Sequence, residues 1–226
     1  MELREYMSIR RAYNLVRQEA PAEERLTFEE YAILAHLYNA EGTLKTSAIA
    51  EYQGVLRPTM THRTNHLSQL GFITRKEGEE DRRNVCCALS TQGELELFKI
   101  SEGVCNSIPK GYPLQRINAA RVVNYVDAMG GFFCTAGDLS ILGLDLLGGK
   151  TDTITSLVDT LGLLQPTVSM SIGLLNRDGF VKRSRNVETT ARTVSIELSE
   201  AGEKRADELK EVISELVVRR HRVKNN

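Results

Sequence analysis

Two stretches of the 226-residue chain, 108 residues apart, each set polar side chains along what reads as one short helix. The first, "RPTMTHRTNHLSQLGF", runs from Arg57 to Phe72, and its cousin "QPTVSMSIGLLNRDGF" runs from Gln165 to Phe180. Helical spacing turns Met60, Thr64, Leu67 and Leu70 to a core, which leaves Arg57, Thr59, Thr61, His62, Asn65 and His66 facing outward. Arginine bonds guanine in bidentate fashion and asparagine does the same with adenine, so this face is equipped to read base edges. The answering set in the second stretch is Gln165, Thr167, Ser169, Met170 and Ser171, which is less basic and offers apolar contact to a thymine methyl through Met170. A small hydroxyl at such a position can also serve as a helix cap.

Beyond each stretch lies a charged run. "RKEGEEDRR" supplies Lys76, Arg82 and Arg83, and "KRSRNVETTAR" supplies Lys182, Arg183, Arg185 and Arg192. On a hairpin arm beside a helix these cations suit phosphates or a narrow minor groove. The net charge is −1, yet residues 57–83 balance at +2 and residues 165–192 at +3, so the remainder is acidic. Charge is therefore concentrated where nucleic acid would need it.

The elements that must hold these residues repeat as well. Thr27 with Glu30 is a capping box, and Thr135 opens the matching helix. Short helices near residues 46–52 and 154–161 end at Gly54 and Gly162, Pro58 and Pro166 open the next helices, and Gly71 and Gly179 close them. Two β-like runs with a polar tip follow in each half, and then another helix. The offset of 108 becomes 109 beyond the tip, where Ser90 matches Ser199 and Gly93 matches Gly202. An insertion at a loop tip is what a duplicated gene tolerates. The division is 1–110 and 111–226. Amphipathic helices over Glu2–Ala20, Leu114–Met129 and from Glu200 to the end of "SELVVRR" need partners for their apolar stripes. The predicted fold is mainly α with small β wings: two tandem winged helix-turn-helix domains joined through those helices.

The spelling of "RPTMTHRTNHLSQLGFITR" and "DRRNVCCALSTQGE" resembles the MarR family of bacterial transcription regulators, and the doubled form is similar to the two-domain Sar regulators. The resemblance implies a sequence-specific, double-stranded DNA-binding regulator, with repression the expected mode. One chain would supply both recognition helices, as a monomeric pseudo-dimer on an asymmetric operator. It implies that Asp81 positions Arg83; the second half has Thr190 in place of that acid. Arg63 stands where the family usually has an apolar residue, so pairing with an acidic residue of a neighbouring helix competes with a DNA contact. The family also binds small phenolic effectors, for which Tyr13, Tyr38, Tyr125, Phe132 and Phe133 are candidate lining residues, with core packing the rival role.

Other chemistries find less support. "LLGGKTDT" lacks phosphate-loop spacing, and no serine, histidine and acid set carries a local signature, so no enzyme is expected. His62 and His66 could chelate a metal at i and i+4 but lack further ligands, and no cofactor is expected. Cys86, Cys87, Cys105 and Cys134 have no paired spacing. The N-terminal stretch interrupts its apolar residues with charge, so a cytoplasmic protein without a membrane segment is expected. The rival reading is a winged-helix protein-docking module that does not touch DNA.

Overall fold

A computed structural model of the chain describes residues 1–77, 84–185 and 194–219. Helix α1 covers Leu3–Glu19, and a 3-10 turn at Ala22–Glu24 precedes α2, Phe28–Asn39. Then come β1 (Leu44–Lys45), α3 (Thr46–Tyr52), α4 (Arg57–Gln69), β2 (Ile73–Glu77), β3 (Val85–Leu89) and α5 (Thr91–Ser107). After α6 (Ala119–Met129) the order recurs: α7 (Ala136–Leu146), β4 (Lys150–Thr151), α8 (Ile154–Leu161), α9 (Gln165–Arg177), β5 (Val181–Arg185), β6 (Val194–Leu198) and α10 (Glu200–Glu215).

Local chemistry fixes the starts and stops. Thr27 Oγ1 accepts from the Glu30 N–H at 3.2 Å while Glu30 Oε2 accepts from the Thr27 N–H at 2.8 Å, which closes the capping box of α2. Thr135 and Asp138 do the same for α7. Each sheet then hooks onto its following helix through a serine. Ser90 Oγ donates to the Gly71 carbonyl at 2.6 Å and accepts from the Gly93 N–H; Ser199 Oγ donates to the Gly179 carbonyl at 2.6 Å and accepts from the Gly202 N–H. A Cβ at Gly93 would fall 1.9 Å from the Phe72 carbonyl oxygen and one at Gly202 2.1 Å from that of Phe180, so neither position admits a side chain.

Several expectations need correction. The hairpins are three-stranded sheets, of order β1-β3-β2 and β4-β6-β5, because two-residue strands join each central strand. The helix expected from Leu114 begins only at Ala119, since Leu114 takes φ +66 and Asn118 caps the helix by accepting from the Arg121 N–H at 2.9 Å. The last helix ends at Glu215, and residues 216–219 continue it no further.

The compact units do not follow the division 1–110 and 111–226. One unit unites Met1–Leu15 with Cys134–Glu215, and the other is built on Val16–Phe133. Helix α1 thus belongs largely with residues 134–215, and α6 with residues 16–133. In the 16–133 unit α6 packs on α2 and α5, and its Asp127 carbonyl accepts from the Tyr52 hydroxyl at 2.6 Å. In the 134–215 unit the middle of α1 meets the end of α8: Arg11 Nε donates to the Asp159 carbonyl at 2.6 Å and Asn14 Nδ2 to that of Leu161 at 2.9 Å. An amphipathic stripe is satisfied by any matching apolar surface, so sequence order does not dictate its partner. The core of the first unit includes Tyr31, Leu34, Met60, Leu67 and Leu97, and that of the second Leu142, Leu157, Ile172, Ile196 and Leu209. No helix among the described residues is long and apolar enough to cross a membrane.

Candidate nucleic-acid interface

Helices α4 and α9 begin alike. Their N-cap residues are Leu56 and Leu164, whose side chains cannot accept a hydrogen bond, and each has a proline in its first turn. By contrast α2, α5, α6, α7 and α8 all begin at a side chain that accepts from the first turn. The first-turn N–H groups of α4 and α9 are therefore left to an outside acceptor, which is the condition for binding an anion at a helix start. Thr59 and Thr167, in the first turn, are not the caps.

Around the start of α4 the 16–133 unit forms a recess of about 140 Å³. Lys45, Thr46 and Ser47 line it at the beginning of α3, Arg57 and Thr61 on α4, and Arg75, Asn84 and Val85 on the sheet. Three cations and several hydroxyl or amide groups facing one small space suit a phosphate oxygen cluster. Lys45, Ser47 and Arg75 were not among the residues expected from the sequence. The one signal for them was Arg75 recurring as Arg183 within the repeat.

Arg57, Thr59, Thr61, His62 and Asn65 are exposed on α4, and Lys76 is exposed on β2. Two expected members of this face point elsewhere. His66 Nδ1 lies 2.6 Å from Glu30 Oε1, so its ring serves the start of α2. Arg63 donates to Gln53 Oε1 at 2.6 Å and rests over the Phe133 ring at 5.8 Å, which ties it to the end of α3. On α9, Gln165 and Met170 are exposed and Thr167 and Ser169 are half-buried, but Ser171 is buried beside Ile172. A helix turns 100° per residue, and position 171 falls on the same side as Val168 and Leu175. Lys182 and Arg183 are exposed on β5, and the Arg183 N–H donates to Asn176 Oδ1 at 3.1 Å. Asp81, Arg82, Arg83, Thr190 and Arg192 lie outside the described residues, as does the side chain of Arg185.

The rings proposed for an effector cleft are engaged in packing. Tyr13 is buried in the 134–215 unit, whereas Tyr38, Tyr125, Phe132 and Phe133 belong to the other. Tyr38 meets Phe98 edge-on with centroids 5.2 Å apart, Phe133 meets Phe28 at 6.3 Å, and Arg121 lies over Tyr125. Tyr13 and Tyr125 are buried, whereas Tyr38, Phe132 and Phe133 are half-buried.

Burial also sets the cysteines. It pushes the Cys134 thiol up to about 11, with a Tyr6 hydrogen bond and Arg10 only partly offsetting it. Burial likewise raises Cys87 and Cys105. Thiols held protonated are poor nucleophiles, so these three are not primed for oxidation.

The uncapped start of α4, its exposed polar face and the cationic recess all fall between Leu26 and Val85. Residues 26–85 match the model of the MarR family. The MarR-matching segment takes in α2, α3, α4 and β2, and with them the whole lining of the recess. The chain is also 40% identical over 63 residues to the uncharacterized HTH-type transcriptional regulator YfiV of Bacillus subtilis (strain 168). That similarity covers 28% of this chain and 39% of the relative, so the matched part spans well under half of the relative's length. The crystal structure of the YusO protein from Bacillus subtilis superposes over 44% of this chain and 66% of its own, at 23% identity and a TM-score of 0.35.

Proposed function

We propose that the chain is a sequence-specific regulator of transcription that binds double-stranded DNA, with α4 and α9 as two non-identical recognition helices. The observation that carries this reading is the α4 start. Uncapped N–H groups, the Lys45, Arg57 and Arg75 recess, and the exposed Thr61, His62 and Asn65 converge within the MarR-matching segment. Phosphate oxygens would occupy the recess and fix the register, while Asn65 and His62 reach base edges in the major groove.

The second half takes the corresponding part with different means. Gln165 replaces Arg57 and Thr153 replaces Lys45, so the start of α9 lacks two of the three cations of the recess. Lys182 and Arg183 on β5 supply phosphate contacts instead. The exchange of leading helices between the two units supports a chain that carries both halves of a dimer-like regulator and needs no second copy. The operator is then asymmetric.

The test is fluorescence anisotropy on a labelled duplex, selected by the full chain from random sequence, across a salt series. Neutralising several phosphates requires a steep loss of affinity between about 50 and 200 mM salt. Arg57→Ala weakens binding and reduces the logarithmic salt slope by about one unit, while Asn65→Ala relaxes base preference in one half-site only. Absence of duplex binding, or a flat salt response, would transfer the reading to protein docking.

A further inference from the structure

Helix α9 departs from α4 along one line. Met170 stands where α4 has His62, Gly173 where it has Asn65, and Leu174 where it has His66. Met170 is 67% exposed and Leu174 45% exposed, and their i, i+4 spacing makes them one continuous apolar ridge. Gly173 lies beside the ridge, and a Cβ built there would meet nothing within 4 Å. Its own fold therefore does not require glycine at that point, and glycine weakens a helix interior relative to alanine. What the missing side chain provides is closeness: an outside surface can approach the helix backbone between Met170 and Leu174.

The surroundings say what kind of surface that is. Arg177 at the end of α9 and Lys182 and Arg183 on β5 are exposed cations, and the first turn of α9 has no side-chain cap. Positive charge and free N–H groups call for a polyanion, whereas the ridge calls for apolar groups set within it. In the major groove of B-DNA the apolar group that base edges present is the thymine C5-methyl. We infer that α9 reads its half-site through thymine methyl groups, with Met170 and Leu174 packed on them and Gly173 permitting the approach. This rests on the DNA-binding reading above and assigns the second recognition helix a hydrophobic code in place of a hydrogen-bonding one.

Replacing thymidine by deoxyuridine removes the methyl and leaves every hydrogen-bonding group in place. In the duplex selected by the full chain, deoxyuridine at contacted positions of one half-site weakens binding about fourfold per methyl, the value of one buried methylene. The same change in the other half-site has little effect. In Met170→Ala and Leu174→Ala, both at exposed positions, the sensitivity to deoxyuridine disappears while the salt slope is retained. If the chain binds duplex with a steep salt slope but deoxyuridine changes nothing in either half, the methyl code is wrong and the DNA reading stands. If neither alanine variant alters DNA affinity, the ridge faces something else, such as an acidic and apolar protein segment, and the inference is overturned. If no duplex is bound at all, the DNA reading itself fails.

Discussion

Glu30 Oε1 lies 2.6 Å from His66 Nδ1, so the residue that closes the capping box of α2 also holds the last turn of α4. In the 134–215 unit the answering acid, Asp138, takes a different partner. Arg205 Nη2 of α10 donates to its Oδ1 at 3.0 Å, because Leu174 replaces the histidine on α9. The cap acid anchors the exposed helix in one unit and the last helix in the other. His66→Leu, which copies the second repeat into the first, leaves the buried Glu30 oxygen without that bond. We expect a loss of about 1–3 kcal/mol in urea unfolding, the range for an orphaned buried acceptor. Unchanged stability would mean that the bond contributes nothing.

Asp127 provides a pH-dependent test. Burial alone would raise its carboxyl, but hydrogen bonds from His36 at 2.9 Å and Asn39 at 2.7 Å outweigh burial and hold it below its ordinary value. The same His36 ring stacks on Tyr52, with centroids 3.6 Å apart. A carboxyl depressed in the folded state contributes stability that is fully present above its unfolded value, near 4, and lost as the pH falls through the folded one. Asp127→Asn should therefore cost about 1–3 kcal/mol at pH 7 and progressively less below about pH 4. Denaturant titrations at pH 7, 5 and 3 read the converging curves.

Two glycines with nearly the same backbone separate conformation from packing. Gly54 has φ +63 with nothing near its absent Cβ, whereas Gly162 has φ +61 and a Cβ there would fall 2.6 Å from the Arg11 carbonyl oxygen. Gly54→Ala should cost about 1 kcal/mol, the left-handed penalty alone. Gly162→Ala should cost about 3 kcal/mol or more, because the middle of α1 must also move. Equal losses in thermal unfolding would contradict the docking of α1 on the end of α8.

Thiol chemistry should be muted. Cys134 is buried with its thiol raised to about 11, and Cys87 is buried and raised as well. In native protein at pH 7 a thiol-disulfide reagent should leave both unmodified, and both should react at once after unfolding. Mass spectrometry of tryptic peptides after a timed exposure distinguishes the sites.

Much of this architecture was legible because it is written in local chemistry. Thr27 and Glu30 act across three residues, and Pro58 and Gly71 each mark one end of a helix by their own backbone preference, so their meaning survives without tertiary context. Strands β1 and β4 were not legible, since two residues have no alternation to read and their pairing comes from β3 and β6. His62 and His66 share a face by spacing, yet only Glu30, on another helix, decides that the second turns inward. The leading helices show the same limit on a larger scale. Their stripes announce burial but not which repeat receives them.

The 134–215 unit is not a contiguous segment of the gene, because it takes in residues 1–15. A cut at residue 110 would leave each fragment exposing the groove that the other fragment's leading helix fills, so the halves should survive together and fail apart. The 134–215 unit nevertheless has its own ends side by side, since the Met1 amine donates to the Ser214 carbonyl at 3.3 Å. A rearranged gene that runs from Cys134 to Glu215, then through a short glycine-serine linker into residues 1–15, would write that unit as one uninterrupted reading frame.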